Sequence, residues 1–191
     1  FLPVLLLASA AFAEVQGPRS RRIVGGTEVD ASKWPFIVAL HGKREDGGMY
    51  PICGGTIIAH RWVLTAAHCV NVLTKYAVVT GLSTWNVPQS ALIKNATNVA
   101  RVIRHPSYAV IGDEIYADND LALLELERSL EFGKSFYPID LPSRTQKIPD
   151  YASATAIGYG RINEYSLGGQ LRETTVPLIP TNICKERNNR A

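Results

Sequence analysis

Short runs of apolar and β-branched residues, each closed by Gly, Pro, Asn or Asp, recur along most of this chain. They are 36–42 (FIVALHG), 52–59 (ICGGTIIA), 61–65 (RWVLT), 76–81 (YAVVTG), 97–105 (TNVARVIRH), 121–127 (LALLELE), 152–160 (ASATAIGYG) and 172–180 (RETTVPLIP). Most are short for a helix, and their residue types suit a pleated, half-buried surface. Many short strands at turn-separated intervals predict an all-β protein, a sandwich or a barrel of antiparallel strands. Two stretches break the pattern. Residues 129–150 hold three prolines and no clear period, which marks a connection between two halves. Residues 181–189 (TNICKERNN) open as a short helix with Thr181 as its N-cap.

The amino terminus is different again. Residues 1–13 (FLPVLLLASAAFA) are apolar and end in Ala11-Phe12-Ala13, the A-x-A form of a secretory cleavage site. The run is too short to span a membrane. It is expected to be a signal peptide, and a partial one, because no Met and no charged leader precede it. Residues 14–22 (EVQGPRSRR) then read as a short polar propeptide. The composition, 46% hydrophobic and 19% charged, excludes a disordered chain. A net charge of +3 without a basic stripe gives no ground for nucleic acid or a membrane as partner. The three cysteines, Cys53, Cys69 and Cys184, leave one without a mate in a chain expected to oxidise them. The sequence Asn95-Ala96-Thr97 is an N-glycosylation acceptor that would fit an exposed loop.

His68 lies in VLTAAHCV, at the end of a small and apolar run. Burying a histidine costs free energy unless its ring nitrogens find partners. Asp120 lies in DNDLALLEL, an acid at the mouth of an apolar strand that needs a donor of its own. Together they form two-thirds of a nucleophilic triad: the acid orients the ring, and the ring takes a proton from an attacking hydroxyl. The junction RSRRIVGG makes a second device possible. Cutting after Arg22 frees the α-amino group of Ile23, largely cationic at neutral pH. An Ile-Val end carrying that charge can be buried only against a carboxylate, so cleavage becomes a switch.

RIVGG, CGGTIIAHRWVLTAAHC, DNDLALLEL and GYG, in this order, resemble the chymotrypsin/trypsin-like serine protease family over about residues 22–188. The resemblance implies two antiparallel β-barrels with the active site in the cleft between them. It implies His68 as general base, Asp120 as its orienting acid, a Cys53–Cys69 disulfide bracing the histidine loop, and Ile23 as the new N-terminus after activation. It divides residues 23–191 into a complete first barrel, about 23–130, and the start of a second, about 150–191. Tyr159 stands where the family usually has Trp, and Ala154 where many members have a cysteine.

The family's serine sits in a GDSGG loop that also forms the oxyanion hole. No serine after Asp120 has that context; Ser166 in EYSLGGQL comes nearest and lacks the preceding acid and glycine. Family spacing puts the nucleophile about twenty residues beyond Ala191. The sequence is therefore expected to be truncated, with the mate of Cys184 in the missing part. This 191-residue piece alone is expected to be inactive and aggregation-prone. The expected whole is a monomeric secreted zymogen acting on polypeptides, with an activating protease and protein protease inhibitors as partners. The alternative is a non-catalytic homologue that keeps the fold as a binding or regulatory module. No cofactor and no metal are expected: His41, His60 and His105 lack ligand spacing, and HRWVLTAAH is not H-E-x-x-H.

Overall fold

The computed structural model describes residues 26–70, 75–111, 116–133, 135–160 and 168–188. The expected signal peptide, the propeptide, Arg22, Ile23 and Ser166 lie outside them. In chain order come β1 (Thr27–Glu28), β2 (Ile37–Lys43), β3 (Met49–Ala59), β4 (Trp62–Thr65) and β5 (Tyr76–Thr80). Helix α1 (Gln89–Asn95), β6 (Ala96–Arg104), β7 (Ala109–Ile111), β8 (Tyr116–Asp118) and β9 (Ala122–Leu126) follow. Strands β10 (Ser153–Gly158) and β11 (Arg172–Pro177) and helix α2 (Thr181–Asn188) complete the order. Short 3₁₀ turns occupy Ala31–Lys33 and Ala67–Val70.

Six strands close into an antiparallel barrel in the order β2-β3-β4-β9-β6-β5. A second sheet has the order β1-β11-β10, and β7 and β8 form a hairpin. The fold is thus all-β, with a complete first barrel and a partial second sheet. Alternation explains the barrel's interior. β9 reads buried, half-buried, buried, half-buried, buried, and sends Ala122, Leu124 and Leu126 inward. They pack with Val38, Leu40, Ile57, Val63 and Val78, all fully buried. β2 is buried at six consecutive positions, because its outward Ala39 packs in a second cluster with Val79, Leu92, Tyr159 and Leu171. The barrel is therefore roofed on one side by α1 and by the second sheet. Gly55 on β3 is required by close approach: a Cβ there would lie 2.8 Å from Val63 Cγ1 and 3.1 Å from Val38 Cγ2.

The eight strand-like runs each hold one strand. β1, the β7–β8 hairpin and α1 were not anticipated. α2 begins at Thr181, where the residue before the helix was expected, and the Cys184 N–H bonds the Pro180 carbonyl at 3.0 Å. Residues 138–150 hold no strand or helix, as their prolines require.

His41 is fully buried on β2, with Nδ1 3.4 Å from the Ala39 carbonyl and Nε2 without a hydrogen-bond partner among the described residues. Burial holds its pKa below the ordinary 6.5. The unfolded chain therefore binds a proton near pH 6.5 that the folded chain refuses. His41 contributes its stability fully above that pH and loses it as pH falls towards the depressed folded value. A His41→Gln variant should lose less thermal stability than the parent between pH 7.5 and 5.5. Melting both proteins across that window checks this, and parallel curves would contradict it.

Candidate active site

One end of the barrel carries the two candidate residues. β4 and β9 are antiparallel, with Thr65 opposite Ala122. The residues just after Thr65 and just before Ala122 therefore emerge side by side. After Thr65 the chain tightens into the 3₁₀ turn of Ala67–Val70. Ala67, Cys69 and Val70 are buried, which anchors the turn and leaves His68 on its outer side. A disulfide from Cys69 to Cys53 fastens the turn to β3, and the Thr65 hydroxyl donates to the Gly54 carbonyl at 2.8 Å beside it.

Asp120 is aimed from the other side. Asn119 has φ of +52°, the left-handed region that Asn tolerates better than most residues. Its Nδ2 donates to the Ser107 carbonyl at 3.0 Å, and the Leu121 N–H donates back to its carbonyl at 2.7 Å. The His105 N–H bonds the Leu121 carbonyl at 2.8 Å. This bend sets the carboxylate against the histidine turn. Asp120 Oδ1 accepts from the His68 backbone N–H at 2.9 Å, and Oδ2 lies 2.7 Å from His68 Nδ1. The side chains are 31% and 20% exposed, so both remain within reach of the cleft.

A carboxylate can only accept, so Nδ1 is the protonated ring nitrogen and Nε2 carries the lone pair of the neutral ring. Nε2 lies 3.3 Å from Cys69 Sγ. A disulfide sulfur has no proton to give, so that contact leaves the lone pair uncommitted to it. The site can therefore hold a proton-accepting imidazole in one tautomer and one orientation. Metal chemistry fits it poorly. Donor atoms of Cys53, His68 and Cys69 lie within 4.8 Å of one another, but the two sulfurs are bonded together and neither is a thiolate.

A cleft of about 600 Å³ opens beside the pair, between the barrel and the second sheet. Ile37, Thr56, Leu64 and Asp120 line its barrel side, and Ile157 and Tyr159 line the other. Its described lining contains no serine. Tyr159 is buried, stacks on Trp85 at 5.2 Å and donates its hydroxyl to the Leu82 carbonyl at 2.7 Å. Burial pushes the phenol above its ordinary range. The backbone crosses close by at Gly168, whose φ is +76° and where a Cβ would lie 2.4 Å from the Gly160 carbonyl oxygen.

The remaining candidates are elsewhere. Cys184 is exposed and unbridged among the described residues. Asn95 is exposed at the last residue of α1 rather than in a loop, and its Nδ2 donates to the Ala91 carbonyl at 3.1 Å. His60 stacks on Phe132 at 4.0 Å and bonds the Leu130 carbonyl at 3.0 Å. Asn119 was not singled out in the sequence; its signal was an Asn flanked by two acids before an apolar strand.

Comparison with known proteins places this arrangement. A family model described as Trypsin matches residues 23–191. The chain is 36% identical over 167 residues to "Trypsin 5G1" of Aedes aegypti, covering 86% of this chain and 58% of that protein. It is 33% identical over 178 residues to "Transmembrane protease serine 5" of Homo sapiens, covering 87% of this chain and 35% of that protein. It is 34% identical over 171 residues to "Venom serine protease 34" of Apis mellifera, covering 85% and 40%. The chain thus spans well under two-thirds of the length of these relatives. A solved structure described as "Structure of GrC" shares the fold, with a TM-score of 0.71 at 24% identity over 86% of this chain and 69% of that one. No helix among the described residues is long and apolar enough to cross a membrane. A closed barrel beside a second sheet, with a histidine and an acid paired at the cleft between them, is joined here to a family match over nearly all the chain: the protein belongs to the trypsin family.

Proposed function

We propose that the protein is a serine endopeptidase, with His68 as general base and Asp120 as the acid that orients it. The observation that carries this is the double contact between them, 2.9 Å to the His68 amide and 2.7 Å to Nδ1. One carboxylate oxygen fixes the backbone of the turn and the other fixes the ring. Asp120 holds the proton on Nδ1, so Nε2 is the nitrogen that takes the proton from a serine hydroxyl as it attacks a peptide carbonyl. The imidazolium formed in that step is stabilised by the same carboxylate. The leaving amine then takes that proton from Nε2 as the C–N bond breaks, and water, deprotonated by the same Nε2, hydrolyses the acyl-serine. The reaction further needs a serine hydroxyl at Nε2 and backbone donors for the oxyanion.

The precursor is secreted, with residues 1–13 as signal and 14–22 as propeptide, and 23–191 belong to the peptidase domain. It is a monomer that acts on polypeptides and is met by protein inhibitors. An activating protease cuts after Arg22, and the cationic Ile23 amine then needs a carboxylate partner to be buried. Asn95, exposed at a helix end, is its glycosylation site.

In the full-length activated protein, Asp120→Asn should leave KM for a peptide substrate nearly unchanged and lower kcat by about four orders of magnitude, the loss seen in the family's archetypal triad. Steady-state kinetics of parent and variant check this. A parent without peptidase activity would establish the non-catalytic homologue instead. Mass spectrometry of the secreted active form should find Ile23 as its first residue. A fully active product still carrying Arg22 would contradict the zymogen.

A further inference from the structure

The two-residue strand β1 is held far more firmly than its length explains. It pairs with β11, Thr27 opposite Glu173 and Glu28 opposite Arg172, and the Val29 N–H continues the ladder to the Leu171 carbonyl at 3.0 Å. Side chains at two successive positions of β11 then grip the segment on both sides of β1. Arg172 Nη1 lies 2.8 Å from Glu28 Oε1, and Nη2 donates to the Gly26 carbonyl. Glu173 accepts from Lys33 Nζ at 2.5 Å and from Trp34 Nε1 at 2.7 Å. The Lys33 contact, followed by that of Trp34, holds the Glu173 carboxyl below its ordinary range.

The two grips differ. Each ion pair has one exposed partner, Lys33 at 55% and Glu28 at 64%, so both are screened, and the difference lies in the cation. The Arg172 side chain is only 18% exposed, and its Nε is buried without a hydrogen-bond partner among the described residues. Burying a guanidinium with one donor unmet is costly, and ordinary strand pairing does not require it. Its two satisfied donors both point upstream, at Gly26 and Glu28. Gly26 is the fourth residue of the sequence Ile23-Val24-Gly25-Gly26. Three extended residues span about 10 Å. Fixing the Gly26 carbonyl therefore confines an amine at Ile23 to a short radius about one point on β11.

We propose that Arg172 is a positioning residue for activation: by clasping Gly26 and Glu28 it fixes the point from which the freed Ile23 amine starts, and so sets how completely cleavage switches the enzyme on. This rests on the zymogen reading above. Without the clasp the segment from Ile23 to Glu28 must be ordered anew each time the amine is buried, and every residue freed adds backbone entropy against burial. Lysine cannot replace the arginine fully, because one ammonium lacks the planar fork that reaches two acceptors at once.

The test uses the full-length protein cleaved after Arg22. Its Ile23 amine is reacted with cyanate, and carbamylation of the N-terminal peptide is followed by mass spectrometry beside residual peptidase activity. The parent amine should be protected. Arg172→Met should carbamylate about tenfold faster, the factor expected from freeing roughly one residue's backbone, and lose activity in step. Arg172→Lys should fall between them. Glu28→Gln alters a side chain 64% exposed, so it folds even where Arg172→Met does not, and it should also speed the reaction. Parent-like rates in every variant that folds overturn the assignment. An unprotected amine in the parent overturns the zymogen reading, and this inference with it.

Discussion

The pairing of β4 with β9 is the constraint on which the site depends. It joins strands more than fifty residues apart and closes the barrel by giving β9 a neighbour on each side, β4 and β6. Its register, Thr65 opposite Ala122, decides what meets at the barrel's end. A slip of one residue would turn every β9 side chain to the other face, and Leu124 and Leu126 would leave the core. The packing of apolar side chains inside the barrel thus holds a polar pair at its rim. Neither His68 nor Asp120 needs to find the other; the sheet delivers them.

Local devices refine what the register places coarsely. On one side they are the disulfide from Cys69 to Cys53 and the three buried residues of the 3₁₀ turn. On the other side stands the left-handed Asn119, tied to the Ser107 carbonyl. Each removes freedom from a segment that would otherwise be a mobile loop, so the geometry of the pair is set once, in folding. The second sheet contributes differently. Tyr159 and Ile157 wall the cleft, while Arg172 and Glu173 hold the segment from Gly26 to Trp34.

Much of this was legible because it is local. The strands announce themselves by β-branched runs between turn residues, and even the unbroken apolar β2 is understood once both its faces are covered. His68 and Asp120 were legible as a chemical pair, each an expensive residue at the edge of an apolar run, and then as parts of a family pattern. What stayed hidden depends on distant partners. β1 is two residues long and exists because β11, some 144 residues on, pairs with it through Glu28 and Arg172. Arg172 in LRETTV looks like any surface charge of a strand. Helix α1 has Pro88 before it and no side-chain cap, so its start carries little signal. Asn119 needed its backbone angle to be noticed, and the hydroxyl of Tyr159 needed the Leu82 carbonyl to appear above it.

Asp120 fixes the His68 ring with its proton on Nδ1 and its lone pair on Nε2. Long-range nitrogen–proton NMR of histidine-labelled protein above neutral pH reads that tautomer directly. His68 should show a protonated Nδ1 and an unprotonated Nε2, and Asp120→Ala should abolish the preference. A His68 ring protonated on Nε2 in the parent would contradict it.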